Sequence, residues 1–334
     1  MAKSLGLSAG LTADPRSHED LAQNSMGQSA TQPVLPHGAQ IEFRDGLPPD
    51  RRELAELSVA TLLARATKAV DQARIAEAKR QALVDALNEP VARLIRADRD
   101  ASRALELLRA GQLDDTEEID QLHPDAPRFA SGELLSIAPE SARDAVEVRV
   151  PPYDFGWSWH HQAGSAPAGS FFNADGRVGV DARSGSIASG AGGFVNAHAG
   201  YGLSLTTDQQ VNVTGRSFRK MRYHYTVGCT GVGGDATSEG GMEFTALENG
   251  QFLTSASSKV WRKRVSGVER AAFGEGPFLI TEPTELAFTM KPGRQYTFNV
   301  GVWAFSDRSH GVGTAWAQAL IEGDVLALTI QRGG

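Results

Sequence analysis

Between residues 284 and 332 the chain alternates apolar and polar residues almost without a break, and that alternation limits what it can become. Leu286, Phe288 and Met290 share one face of residues 284–291, and Tyr296, Phe298, Val300 and Val302 share one face of residues 294–305. Ala315, Ala317, Ala319 and Ile321 do the same in 314–322, and Leu326, Leu328 and Ile330 in 324–331. A period of two held over such runs puts one side of an extended chain into a core; a helix would scatter the same residues around its axis. Turn chemistry separates the runs: Lys291-Pro292-Gly293, the polar stretch 306–313, and Glu322-Gly323-Asp324, which reads as a hairpin turn. Four consecutive strands are predicted.

The same texture extends back to Val146. Segments 146–150, 169–173, 177–181, 194–199, 201–206, 210–214, 219–228, 242–247, 252–264 and 277–281 read as further strands, and Asp175-Gly176 suits a tight hairpin turn. Phe155, Trp157, Trp159 and His161 alternate in another. Eleven to fourteen short strands with frequent turns predict an all-β sandwich of jelly-roll type over residues 146–334. The 36 glycines crowd into this half, where turns would use them. No repeat of 20–50 residues is visible, which argues against a propeller or solenoid.

What precedes it is of another kind. Residues 51–87 contain no Gly or Pro and are rich in Ala, Leu, Arg, Glu and Gln, a composition that predicts a helix about 55 Å long, with Asp50 as its cap. Val59, Leu62, Ala66, Ala69, Ala73, Ala76, Leu83 and Leu87 recur at heptad-like spacing, broken by Arg80. A seam so rich in alanine buries little area, so the helix must pack on something else. Asn88-Glu89-Pro90 is expected to end or kink it, and a second helix over 91–110 to stop at Gly111. Two layouts satisfy this: a helical hairpin, or a coiled-coil-like rod pairing with copies of itself.

The expected organisation is therefore α+β and multidomain: residues 1–48 a disordered or docking arm, 49–111 a helical segment, 112–145 an acidic linker, and 146–334 the sandwich. Charge supports the division. Residues 51–110 carry twelve basic against nine acidic side chains, residues 111–145 two against nine, and residues 146–334 sixteen of each. The net charge of −7 argues against a general nucleic-acid binder. The single cysteine, Cys229, excludes an intramolecular disulfide. The first twenty residues lack the apolar run of a secretory signal, and no stretch is long and apolar enough to span a membrane. A cytoplasmic location or a place in an assembled particle is expected.

Catalytic signatures are missing. There is no phosphate loop and no HExxH; the one GxSxG match, Gly6-Leu7-Ser8-Ala9-Gly10, has no apolar strand ahead of it as a nucleophile elbow requires, and Gly231-Val232-Gly233-Gly234 leads into no helix. A pair of distant carboxylates for glycoside cleavage leaves no mark in sequence. Trp303 and Trp316 alternate away from the apolar stripes of their strands. Each therefore lies under a second covered face or forms a platform on which a sugar ring could stack. Trp261, beside Arg262, Lys263 and Arg264, and His160 complete the candidate ligand-binding set, with a charged edge strand as the plainer reading of the basic cluster. Adjacent His160 and His161 point to opposite faces of a strand, so no metal site is predicted from them. Asp175, Asp235, Glu239 and Asp307 lie in loops that could attract calcium, at spacings matching no calcium loop. The expected function is a non-catalytic structural or recognition protein, a particle or fibre component. Residues 1–111 would bind copies of the chain or other subunits, and the sandwich would present a surface for glycan. A polysaccharide hydrolase or lyase is the alternative, and a membrane-active toxin component the third reading.

Overall fold

Alternation decides most of the structure. The computed structural model describes residues 38–104, 146–163, 168–184, 193–232, 234–266, 272–279, 284–309 and 312–333. The linker expected at 112–145, most of the arm and the end of the second predicted helix lie outside them. Along the chain come β1 (Gln40–Phe43), α1 (Pro49–Ala97), β2 (Val146–Arg149), β3 (Phe155–Ala163), β4 (Ala168–Phe172), β5 (Arg177–Ser184) and β6 (Gly193–Thr206). Then follow β7 (Val211–Val232), β8 (Asp235–Glu248), β9 (Gln251–Ser266), β10 (Ala272–Leu279), β11 (Thr284–Met290), β12 (Gln295–Ser309) and β13 (Val312–Gly333). Two antiparallel sheets result, a sandwich-like arrangement. One has the order β1-β3-β6-β12-β8-β9; the other runs β10-β7-β13-β5-β4, with β11 also on β7 and β2 also on β13.

The alternating residues face each other across the sheets. Val195 to Leu205 of β6, Phe244 of β8 and Tyr296 to Val302 of β12 meet Val178 and Val180 of β5, Met221 of β7 and Ala319, Ile321 and Leu328 of β13 in one buried cluster. The expected turn at Glu322-Gly323-Asp324 does not form. β13 runs unbroken through it, because Gly323 sits where a Cβ would meet Met221 Sδ at 2.7 Å and the neighbouring backbone of β7 closer still. This glycine permits a close approach of two strands. The pairing of β13 with β7 slips between Val325 and Ala327, a bulge that puts Val325 rather than the expected Leu326 into the core with Leu328 and Ile330. The segments 210–214 and 219–228 likewise belong to one strand, β7.

Two further expectations change. Residues 40–43, placed in the arm by composition, form an edge strand paired with β3. The helix begins at Pro49 after Pro48, with no side-chain cap and with Asp50 inside the first turn. It continues through Pro90 to Ala97, so no hairpin forms at 88–90. Around Pro90 the turn is held on its exposed side by Glu89, which accepts from Arg93 Nε at 2.9 Å and Arg96 Nη2 at 3.0 Å.

The neighbour that the alanine-rich helix requires is the outer face of the six-stranded sheet. Ala55, Val59, Leu62 and Leu63 bury against Phe155, Trp157, Trp159 and Leu247; each large side chain so buried is worth about 1.5–3 kcal/mol. Polar pins fix the register. Ser58 and Thr297 hydroxyls meet at 2.7 Å, Thr61 Oγ1 donates to the Gly250 carbonyl at 2.7 Å, and Arg74 pairs with Asp307 at 2.8 Å. Past Arg74 the seam is uncovered: Leu83, Leu87 and Leu94 are 68%, 80% and 71% exposed.

Candidate functional site

Strand register sorts the outer face of the six-stranded sheet into rows. Trp159 of β3 lies opposite His198 of β6, His198 opposite Trp303 of β12, Trp303 opposite Gly241 of β8, and Gly241 opposite Lys259 of β9. The rings stack across the strands. Trp159 and His198 are 3.9 Å apart and 16° from parallel, and His198 and Trp303 are 6.5 Å apart and 25° from parallel. Gly241 leaves the edge of Trp303 uncrowded, since a Cβ there would lie 2.9 Å from its ring. Lys259 Nζ stands 5.9 Å from the centre of that ring and pairs with Glu239.

Two residues along the strands, Gly301, Glu243 and Ser257 form the next row; two further on come Asn299, Thr245 and Ser255. Helix α1 roofs these rows with Leu62, Arg65, Ala66, Ala69 and Val70. The small alanines leave a cleft of about 310 Å³ between helix and sheet. Its floor holds Trp159, His198, Trp303, Glu243 and Thr245, with Asn196, Phe252, Ser255 and Ser257 at the sides.

Hydrogen bonds order part of this floor. His198 Nδ1 lies 2.8 Å from Glu243 Oε1 and its Nε2 lies 3.2 Å from Asn196 Oδ1, so the ring is held from both sides. Arg65 lies over the Phe252 ring at 3.6 Å. Behind the floor, inside the sandwich, Arg219 donates to the Gly301 carbonyl at 3.1 Å and the Glu243 carbonyl at 3.3 Å, and also bonds Thr284. Burial pulls its guanidinium down to about 9, against the upward pull of the Glu243 charge, so it remains a cation at neutral pH. Other groups on this face have no partner among the described residues: the indole Nε1 of Trp157 and Trp159, Ser204 Oγ, Thr245 Oγ1 and both side-chain polar atoms of Asn299, all buried.

Of the residues singled out from sequence, Trp303 lies in this cleft. The other three lie elsewhere. Trp261 points into the sandwich, stacked on Tyr223 at 5.2 Å and Tyr225 at 5.8 Å, and donates to Ser238 Oγ at 3.0 Å. Trp316 is buried over Gly228, its Nε1 3.3 Å from Thr226 Oγ1. His160 is half-buried, its ring lying against Gly38. The carboxylates considered for calcium are engaged otherwise: Asp235 with Arg264, Glu239 with Lys259 and Arg262, Asp307 with Arg74, and Asp175 with the Arg177 backbone. Among the described residues no three His, Cys, Asp or Glu side chains converge as a metal site requires, and no described helix is long and apolar enough to cross a membrane. His198, Glu243, Thr245, Ser255 and Ser257 were missed. The available signal was their spacing, Asn196-x-His198, Glu243-x-Thr245 and Ser255-x-Ser257, which sets a polar face opposite each apolar stripe.

The site thus defines a two-sheet antiparallel sandwich with an aromatic and hydroxyl-bearing cleft roofed by a helix. No protein-family model matches the sequence, and no curated protein matches it. Among solved structures, the glycoside hydrolase domain of Endo-D from Streptococcus pneumoniae R6 is 12% identical, with a TM-score of 0.19, over 55% of this chain and 22% of that one. The CBM22-1 and GH10 modules of an endo-1,4-β-D-xylanase from Clostridium thermocellum, complexed with xylohexaose, are 13% identical, with a TM-score of 0.15, over 52% of this chain and 26% of that one. A family 11 carbohydrate-binding module from the same organism, with a mixed-linked tetrasaccharide, is 10% identical, with a TM-score of 0.16, over 51% of this chain and 89% of that one. The chain spans about a quarter of the length of the first two. At these scores the likenesses carry no argument about function.

Proposed function

We propose that this chain is a non-catalytic recognition protein whose sandwich binds glycan in the cleft beneath α1, while its helical part attaches it to copies of itself or to other subunits of an assembly. The observation that carries the glycan reading is the Trp159–His198–Trp303 row flanked by hydroxyl side chains. Aromatic faces receive the apolar CH face of a sugar ring, and the neighbouring Ser, Thr and Glu groups can bond its hydroxyls. Of the three residues now placed outside the cleft, we read Trp261 and Trp316 as packing residues. The attachment reading rests on the uncovered stripe of Leu83, Leu87 and Leu94. We read the sandwich as of jelly-roll type because the chain crosses between sheets repeatedly, as from β6 to β7 to β8 and from β12 to β13.

The hydrolase reading differs in what the cleft must supply. Glycoside cleavage uses two carboxyl groups across the scissile bond. Glu243 is the one carboxylate among the described lining residues, and its Oε1 is engaged by His198. Titration of cellohexaose and xylohexaose by tryptophan fluorescence, with a reducing-end assay alongside, tests the proposal. Binding without new reducing ends is expected, as is a loss of about tenfold or more in affinity for Trp303→Ala. New reducing ends would replace it with the hydrolase reading.

A further inference from the structure

We infer that the cleft is built for an uncharged stretch of linked sugar rings, one ring on Trp303 and another, beyond its immediate neighbour, over the Thr245 row; this rests on the glycan reading above and sharpens it. Three observations carry it. The first is charge. The lining residues hold one guanidinium, Arg65, and one carboxylate, Glu243. The guanidinium is spent on Phe252, and the carboxylate is hydrogen-bonded to His198 in front and faces the charge of buried Arg219 behind. Lys259 at the rim pairs with Glu239. A uronate or an amino sugar would enter a cleft whose charges already have partners, and would stay without a counter-charge of its own.

The second is the kind of polar group. Thr245, Ser255 and Ser257 offer hydroxyls, each at once donor and acceptor, as sugar hydroxyls are. Thr245 is 5% exposed, lines the cleft and has no partner for Oγ1; Trp159, 1% exposed, also lines it with Nε1 unbonded. Beside Thr245 on the same face, its register partner Asn299 is fully buried with both polar atoms unbonded. Buried polar groups are almost always bonded in folded proteins, so the unbonded pair Thr245 and Asn299 at one end of the cleft and the unbonded Trp159 indole at the other mark where a ligand's own groups belong.

The third is length. The Trp303 row and the Thr245 row are four residues apart along the strands, about 13 Å at ~3.3 Å per residue. Rings joined directly to one another lie less than half that far apart, so a ring on Trp303 and a ring over Thr245 are joined through at least one ring between them. That spacing separates a stacking end from a hydrogen-bonding end.

The test titrates the full chain with neutral hexaoses of β-1,4-linked glucose, xylose and mannose, a galacturonate hexamer and a glucosamine hexamer. The native chain, Trp303→Ala, Thr245→Val and Ser255→Ala are compared, with melting temperature read for each. At least one neutral hexaose should bind. Thr245→Val and Ser255→Ala should each weaken it about tenfold, and Thr245→Val should melt no lower than the native chain, since it removes an unbonded buried hydroxyl. Ser255 is exposed and its variant keeps the test intact should Thr245→Val fold poorly. Trp303-dependent preference for the galacturonate or glucosamine hexamer would overturn this inference and leave the glycan reading standing. So would neutral binding unchanged in both hydroxyl variants. Failure of every hexamer to bind would overturn both.

Discussion

Four of the five tryptophans in this chain are paired with absences. Trp157 lies directly across from Gly200, Trp261 from Gly240, Trp303 from Gly241 and Trp316 from Gly228, each the register partner on the adjacent strand. The glycines looked like turn material from composition, yet these four sit inside strands, where the missing Cβ is the space the indole fills. For Gly240 an added Cβ would fall within the Trp261 ring itself. Gly240→Ala should therefore cost about 1–3 kcal/mol in urea unfolding through overpacking. A change within error would mean the ring moves aside freely. Asp181 gives a second prediction. Burial raises its carboxyl above the ordinary 3.8, against the hydrogen bond from Arg183 that lowers it. The folded value then exceeds the unfolded one, so this group's favourable contribution is complete below 3.8 and is lost as pH rises through the raised value. Asp181→Asn should raise the melting temperature at pH 7, and the difference should vanish near pH 3. Equal gains at both pH values would refute it.

At the level of single elements, α1 is the piece the sequence described and could not place. Its seam of Val59, Leu62, Ala66 and Ala69 was plain at helical spacing, as was the need for a neighbour. The neighbour was hidden because Phe155, Trp157 and Trp159 alternate as well against a helix as against a second sheet. Pro90 misled for a related reason. Loss of one backbone bond outweighs local propensity only where nothing else holds the turn, and here Glu89, Arg93 and Arg96 do. Because the first half of α1 is anchored and the second is not, substitutions should split along it. Leu63→Ala removes a buried side chain packed against the sheet and should cost about 2–4 kcal/mol. Leu87→Ala, at an exposed position, should leave unfolding unchanged within about 0.5 kcal/mol. Similar losses at both would mean that the whole helix is packed.

For the whole molecule, the sandwich was legible because period-two alternation survives any arrangement of strands. The order of strands, and with it the cleft, was not: Trp159, His198 and Trp303 are brought together only by the pairing of β3, β6 and β12, over 144 residues of sequence. The same distinction bears on assembly. Half of α1 has found its neighbour within the chain, so the monomer does not need another copy to fold. The stripe of Leu83, Leu87 and Leu94 has found none among the described residues, and carries three large apolar side chains at i, i+4 and i+11 on the face that continues the sheet-packed seam. Paired with its equal on a second copy, such a stripe interrupted by Pro90 buries a modest area, which favours reversible over obligate association. Sedimentation of the full chain should therefore show an equilibrium that shifts with concentration. The triple change of Leu83, Leu87 and Leu94 to Gln should abolish it without lowering the melting temperature, because no core contact is touched. A native chain that stays monomeric at every concentration would leave the stripe to a different subunit. An oligomer that survives the triple change would place the contact elsewhere.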